Sequence, residues 1–380
     1  MKHLMWMIFL TCPFYSCVTE YSNPNNVLNE RKDSLTLSFM REISLYPDEK
    51  TPSDWEKTLM VEKNDFCYIL LYNAYNGELN YYNSKTGELY ETISTSLKGM
   101  DGISSCEDSI LFVQDYKLCQ FYQLNLFGGI SDTLIMKNLS FTNGDFPPSY
   151  ISAYNGVFPI NKNVVFFTTF TAGENDKGNR CCGMIYDVKE QLHTSVVSYP
   201  SIYQEANWGG GMFRSGYTCY NPLEHVVLFS FPACRNLYAY NVLDKKIEKH
   251  YAGSQIIDEI QAYSNDVSLS VSNDESLAYY LKTDNYGPII YDRYRNLYYR
   301  IAEKAGYHTG DAYRYLKQLS IIIMDTQLNI IGEKSFEQPY GTTILVGSDG
   351  IYIPYLKNVG MDLPMHYHVF KICRNEYEIN

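Results

Sequence analysis

The sequence predicts an all-β fold assembled from repeated antiparallel units, on three observations. Short runs rich in Tyr, Ile, Val, Phe and Leu, bounded by Asn, Asp, Gly and Pro, follow one another from Ser34 to the end of the chain. Apolar periodicity at helical spacing over a dozen residues is scarce. The runs also recur in groups of similar size, a repetition of pattern and not of letters.

The stretch Gly287–Ile301 shows the unit in its shortest form. Tyr, Ile and Leu crowd both arms, as suits a pleated, half-buried surface, and Arg295-Asn296 supplies the turn, since Asn tolerates left-handed geometry. A two-residue turn there sets Asp292 opposite Tyr299 and Ile290 opposite Ile301 on one face, with Tyr291 opposite Arg300 on the other.

In chain order, Ser34–Phe39 reads as an early strand left to pair with the last unit. A short helix is expected over 52–61, where Ser53 can cap a first turn with Glu56 three residues on, and another near 310–318. Strands are expected at 66–72, 78–83 and 88–95; at 109–116, 118–125 and 130–136; at 164–170, 182–188 and 191–199; and at 225–231, 236–242 and 246–251. Residues 276–281, the hairpin above, 318–326, 330–336, 343–346, 350–355 and 366–373 complete the series. Such groups fit blades of about 40 to 55 residues, the period of a β-propeller. The expected architecture is a single β-propeller of six blades, each of four antiparallel strands, with five or seven blades, a large sandwich or a β-helix as competing all-β arrangements.

The first residues are set apart from this domain. Met1-Lys2-His3 is a short positive head, Leu4–Leu10 an apolar run, and Phe14-Tyr-Ser-Cys17 a lipobox-like end. The run is too short to cross a bilayer as a helix, so the expectation is a lipoprotein signal peptide over 1–17 with lipid attached at Cys17. A polar, turn-forming tether follows over 18–33, and the propeller domain occupies 34–380. This places the protein as exported and lipid-anchored to the cell envelope, at the outer membrane, facing the periplasm or the surface.

The full chain carries a net charge of −12, and loss of Lys2 with the signal makes the mature chain −13. A basic footprint for nucleic acid is absent, so no nucleic-acid partner is expected. Eight cysteines remain after Cys12 and Cys17, at irregular spacing and without a C-x-x-C pair; most are expected to be free and buried as small hydrophobes.

The lipobox-like start, the acidic Tyr-rich composition, the Tyr291–Arg300 hairpin and the later Leu319–Asp325 and Ile331-Gly-Glu333 together resemble an uncharacterised family of Bacteroidetes lipoproteins with a TolB-like six-bladed propeller. The resemblance spans essentially the whole mature chain. It implies fold and address, and brings no catalytic residues to carry over.

Candidate chemistry is sparse. Asn207–Gly216 is the most unusual loop: three glycines after Trp208 allow close backbone approach, and Trp208, Phe213 and Arg214 could form a stacking platform for a sugar or peptide. The alternative is a blade-connecting loop whose glycines meet backbone constraints. In Gly306–Arg314, His308, Asp311 and Arg314 could converge on a ligand or decorate an insertion. His366-Tyr-His368 sets two imidazoles on one strand face, half of a metal site, but the sequence offers no nearby carboxylate as third ligand, and a solvated strand face is the preferred reading. No metal or other cofactor is expected. No nucleophile elbow is present, and an enzyme is the less favoured reading. The expected function is a membrane-anchored binding or scaffolding module for a glycan, peptide or envelope protein; the alternative is a propeller enzyme, a hydrolase or lyase acting on glycans.

Overall fold

In the computed structural model, the described residues are 34–106, 109–136, 148–169, 181–306, 316–356 and 364–374. They hold 24 strands and almost no helix. Four four-stranded antiparallel sheets follow one another along the chain. The first contains β2 (Thr58–Lys63), β3 (Phe66–Asn73), β4 (Glu78–Asn83) and β5 (Leu89–Ser94). The second contains β6 (Gly102–Cys106), β7 (Ile110–Asp115), β8 (Gln120–Asn125) and β9 (Ile130–Ile135). The third contains β10 (Val157–Asn161), β11 (Val164–Thr168), β12 (Cys181–Asp187) and β13 (Leu192–Ser198). The fourth contains β14 (Tyr217–Asn221), β15 (Val226–Ser230), β16 (Asn236–Asn241) and β17 (Lys246–Tyr251).

The remaining strands form one eight-stranded sheet. β18 (Asn285–Asp292), β19 (Leu297–Lys304), β20 (Gln318–Met324) and β21 (Ile330–Ser335) make one half. β22 (Leu345–Gly347), β23 (Gly350–Tyr355), β24 (Met365–Arg374) and the N-terminal β1 (Leu35–Leu45) make the other. The expectation of six separate four-stranded blades is thereby corrected. Four sheets stand alone and eight strands are continuous, because β1 bonds to β24 on one side and touches β21 on the other through the Leu35–Gly332 pair. A Cβ at Gly332 would lie 1.9 Å from the Leu35 carbonyl oxygen, so only glycine permits this approach. The early strand does pair with the last unit, as expected, and runs as far as Leu45.

Apolar clusters fill the space between consecutive four-strand groups, giving a propeller-like arrangement. Leu70 and Tyr81 meet Leu111 and Val113; Phe121 meets Phe167; Phe166 meets Phe229; Leu228 meets Ile322. Ile321 meets Ile353, and Tyr352 with Tyr367 meets Ile69. The inner strands β2, β6, β10, β14, β18 and β22 all run from what we term the upper end to the lower end. The lower end therefore carries the turns joining first to second and third to fourth strands.

Three expectations about elements are corrected. Residues 52–61 form a single 3-10 turn, Trp55–Lys57, followed directly by β2, the inner strand of its sheet. Asp54 supplies the cap, accepting from the Glu56 amide at 3.1 Å. Residues 276–281 lie in a helix, α3 (Asn273–Lys282), preceded by single helical turns α1 (Ile202–Glu205) and α2 (Gly211–Arg214). A reciprocal box starts α3: Ser272 Oγ accepts from the Glu275 amide at 3.3 Å, and the Glu275 carboxylate accepts from the Ser272 amide at 3.0 Å. The central hairpin, finally, pairs Tyr291 with Tyr298 and Asp292 with Leu297 across a four-residue turn. Asp292 is the cause. Its buried carboxylate accepts from the amides of Tyr294 and Arg295 at 2.9 and 3.0 Å, and from Tyr299 Oη at 2.6 Å. A slip of two residues preserves the faces, so the two-sided pattern read from the sequence survives. The helix expected near 310–318 falls largely outside the described residues, and Gln318 begins β20. Cys17 and the segments 1–17 and 18–33 likewise lie outside them.

Arg300 of that hairpin joins two sheets. Its guanidinium is fully buried and meets no carboxylate. Instead Nη1 donates to the carbonyls of Arg235 and Ala252 at 2.7 and 2.9 Å, Nη2 to Cys234 at 2.7 Å, and Nε to Ser230 Oγ at 3.0 Å. The Tyr286 ring lies 4.0 Å beneath it. Burial pulls its pKa down to about 10, still far above neutrality. Truncation would leave four acceptors facing an apolar gap. Arg300→Met is expected to cost about 3 kcal/mol or more, read as a lower urea midpoint at unchanged slope, with Arg300→Lys falling between the two.

Candidate functional site

The segments that lead into the inner strands gather at the upper end. There a cavity of about 390 Å³ is lined by Asp54, Trp55, Glu56, Tyr154, Thr342 and Thr343, among others. The 3-10 turn holds the first three in place. Lys57 Nζ pairs with Asp54 at 3.3 Å, and Thr58 Oγ1 donates to the Trp55 carbonyl at 2.6 Å. The Trp55 indole meets the buried Tyr367 ring edge-on at 5.0 Å. The segment before β10 is pinned to this turn by the Ala153 amide, which donates to the Glu56 carbonyl at 3.3 Å.

Beside the part of the wall made by Glu56 and Tyr154, further tyrosines and carboxylates follow. Tyr154 meets Tyr217 edge-on at 5.4 Å. Burial holds both phenols above their ordinary pKa, and the Glu56 charge pushes the same way on each; Glu303 adds to the effect on Tyr217. Tyr150 donates to the Asp101 carbonyl and is raised by burial together with Asp54, Glu56 and Asp101. Glu303 accepts from Asn285 Nδ2 at 2.8 Å and Tyr280 Oη at 3.2 Å. Lys317 is buried beside them: its ammonium donates to Thr283 O at 2.9 Å and to Asn285 Oδ1, and lies 3.8 Å from the Tyr280 ring centroid. Burial lowers its pKa to about 8. The arrangement thus offers neutral hydroxyl donors, aromatic edges and carboxylate acceptors, the groups that hydrogen-bond a polyol or an amide.

The glycine-rich loop is at the same end but turned inward. Phe213 in α2 is fully buried, stacked on Trp208 at 6.5 Å and packed against Tyr279 and Tyr280 of α3. Trp208 Nε1 donates to the Ile202 carbonyl at 2.9 Å. Gly209 and Gly210 both have positive φ and lie against Tyr279 and Ser276, so the glycines let the loop close on α3. Phe213 therefore has no exposed face for a ligand. Arg214 is half-buried beside it, its carbonyl accepting from Tyr199 Oη at 2.7 Å. His308, Asp311 and Arg314 lie outside the described residues.

His366 and His368 do meet a carboxylate. Glu42 on β1 lies 3.3 Å from His366 Nδ1 and 3.4 Å from His368 Nε2. His366 Nδ1 also bonds Ser44 Oγ at 2.8 Å, and His368 Nδ1 bonds Tyr340 Oη at 2.7 Å. Both nitrogens of His368 are thus engaged. Among the described residues, no group of three or more His, Cys, Asp or Glu is arranged to hold a metal ion. The eight cysteines from Cys67 to Cys373 are free, with Cys106, Cys182 and Cys234 buried. No helix among the described residues is long and apolar enough to cross a membrane.

The model of one protein family, described as a domain of unknown function (DUF4221), matches residues 31–335. A solved structure of a DUF4221 member from Bacteroides vulgatus is similar at 19% identity and a TM-score of 0.73, over 90% of this chain and 100% of that one. A Bacteroides fragilis protein whose description places it among exported proteins is similar at 12% identity and a TM-score of 0.52, over 89% of this chain and 95% of that one. These likenesses are of fold. No curated protein matches the sequence.

Two outcomes test the electrostatics of the upper end. The unfolded chain binds a proton at Lys317 more tightly than the folded one, so this group favours folding increasingly as pH rises from about 8. Lys317→Met should remove that gain, seen as a smaller rise in Tm between pH 7.5 and pH 9.5 than in the parent. The buried tyrosines act oppositely. Their folded pKa values exceed the unfolded value of 10.0, so their contribution is complete below pH 10 and is lost above it. Tyrosinate absorbance at 295 nm should therefore appear in two stages, the second coincident with unfolding.

Proposed function

For a chain that belongs to the DUF4221 family, we propose a membrane-tethered binding module whose ligand site is the mouth of the central channel at the upper end. The observation that carries this reading is one open cavity whose wall brings together Trp55 and Glu56, Tyr154, and Thr342 and Thr343, from the segments leading into three different sheets, with Tyr217, Tyr280 and Glu303 continuing the polar cluster behind Tyr154. Glycans are the ligand class favoured, because Trp55 and Tyr154 offer aromatic surface beside Asp54, Glu56, Thr342 and Thr343. A peptide or an envelope protein is the next choice. The phenols there are neutral near pH 7 and burial raises their pKa further, so they would serve such a ligand as hydrogen-bond donors. The alternative, a glycan hydrolase or lyase, would show turnover with the same ligands.

The fold and address belong to the same proposal. We read the four separate sheets and the eight-stranded sheet as a TolB-like propeller, with apolar clusters packed between neighbouring four-strand groups. We assign residues 1–17 as a lipoprotein signal with acylation at Cys17 and residues 18–33 as the tether, so the domain is exported and held at the cell envelope.

A glycan array followed by calorimetry tests the site. Tyr154→Phe and Glu56→Gln should each weaken the selected glycan about tenfold while leaving Tm nearly unchanged, with no product released. Equal affinity in both variants would remove the site from this cavity. For the anchor, Cys17→Ser should abolish incorporation of labelled palmitate and move the chain from the detergent to the aqueous phase.

A further inference from the structure

The lower end of the ring presents a different chemistry. Phe66, Phe127, Leu192, Leu223 and Leu243 each sit in or beside a lower turn, in four different sheets, and are 62–71% exposed. Leu89, Tyr90, Ile130 and Ile247 begin outer strands at the same end and are also exposed. Hairpin turns are ordinarily polar, so large apolar side chains recurring at turn after turn mark a contact surface. Exposed lysines, Lys85, Lys162, Lys189 and Lys245, stand in four of the lower turns among exposed Asp65, Glu88, Glu190, Glu224 and Asp244, so the rim is mixed in charge, with Lys189 paired to Glu190 at 3.4 Å.

The chain itself indicates what covers this surface. β1 rises from the lower end: its first residue, Leu35, pairs with Arg374 at the end of β24 and with Gly332 near the start of β21. The residues before Ser34 therefore join the ring at the apolar end, opposite the channel mouth. A 16-residue tether reaches at most about 50 Å, and a short tether holds a domain at an effective concentration near the millimolar range. Weak apolar contacts suffice to seat it under those conditions.

We propose that the lower end is a docking surface for a lipid bilayer, with Phe66, Phe127, Leu192, Leu223 and Leu243 set into the interfacial region and the lysines at the headgroups. Phe and Leu carry the apolar contact, and lysine stems reach from the interface to anionic lipid. The upper cavity then faces away from the membrane. The bilayer as occupant rests on the tether proposed above, while the surface itself stands on the exposed residues.

The test uses the full chain carrying Leu223→Trp or, at the opposite end, Tyr75→Trp, each with Cys17 intact and with Cys17→Ser. Each is mixed with phosphatidylethanolamine–phosphatidylglycerol vesicles containing brominated acyl chains, and quenching of the added tryptophan is read against the parent. Strong quenching of L223W with little of Y75W is expected. Adding Phe66→Asp and Leu243→Asp should lower vesicle binding of the Cys17→Ser chain about tenfold. Flotation of the acylated chain with L223W quenched no more than Y75W would overturn the docking surface and leave the anchor standing. L223W quenched in a chain that is never acylated would support the surface and remove the anchor. Lipid-free dimers that Leu223→Asp dissolves, with no quenching in vesicles, would assign the surface to a second copy and overturn the proposal.

Discussion

Everything in this ring depends on the ladder between β1 and β24. Ten residue pairs, interrupted only by a bulge at Met40, join the beginning of the described chain to its end. Without them β24 and β21 would each expose an edge, and open edges recruit other chains. The ladder also sets side chains that no local sequence relates, seating Glu42 between His366 and His368. Gly332 is the complementary constraint, since its missing Cβ lets the Leu35 carbonyl approach and fuses the two halves of the eight-stranded sheet. Arg300 has the equivalent role at the neighbouring interface, replacing apolar contact with a fan of bonds to carbonyl ends.

The two ends of the ring answer to different physics. At the upper end, polar groups are drawn into burial, and the raised phenols and the lowered Lys317 reflect first the cost of removing charge from water, with nearby carboxylates adding to the effect on the phenols. Tyrosine suits that setting because it brings both a large ring and a hydroxyl that stays neutral. At the lower end, apolar groups are pushed into water at the tips of turns, where they add nothing to the core. Neither Tyr154 and Tyr217 at the one end nor the apolar turn tips at the other belong to the apolar clusters between the sheets.

Legibility in the sequence follows locality. Strands with strong β-branched and aromatic content, such as Val226–Ser230 and Gln318–Met324, are readable from composition alone. Thr58–Lys63 is not, because a capping-like Ser53 and Glu56 precede it and the true structure there is one 3-10 turn. Ser276–Leu281 reads as a strand because Leu-Ala-Tyr-Tyr-Leu fits either period, and the helical signal lies just upstream in Ser272 and Glu275. The hairpin faces are legible but the register is not, since Asp292 bonds forward to two amides and lengthens the turn. The cavity is largely invisible. Glu56, Tyr154 and Thr342 are distant in sequence, and the abundance of tyrosine masks the one that lines it. The Glu42 contact to both histidines spans more than three hundred positions, beyond any spacing rule.

The closing ladder also orders events in time. Cys373 lies against the Thr36 carbonyl although the two are 337 residues apart, so the first strand to be made waits for the last. Pairing so remote in sequence is slow to nucleate, because chain entropy is lost before any contact repays it. A chain still emerging from a ribosome holds an unclosed ring with β1 unpartnered. It remains pliable until its final strand arrives, and only the finished polypeptide can lock.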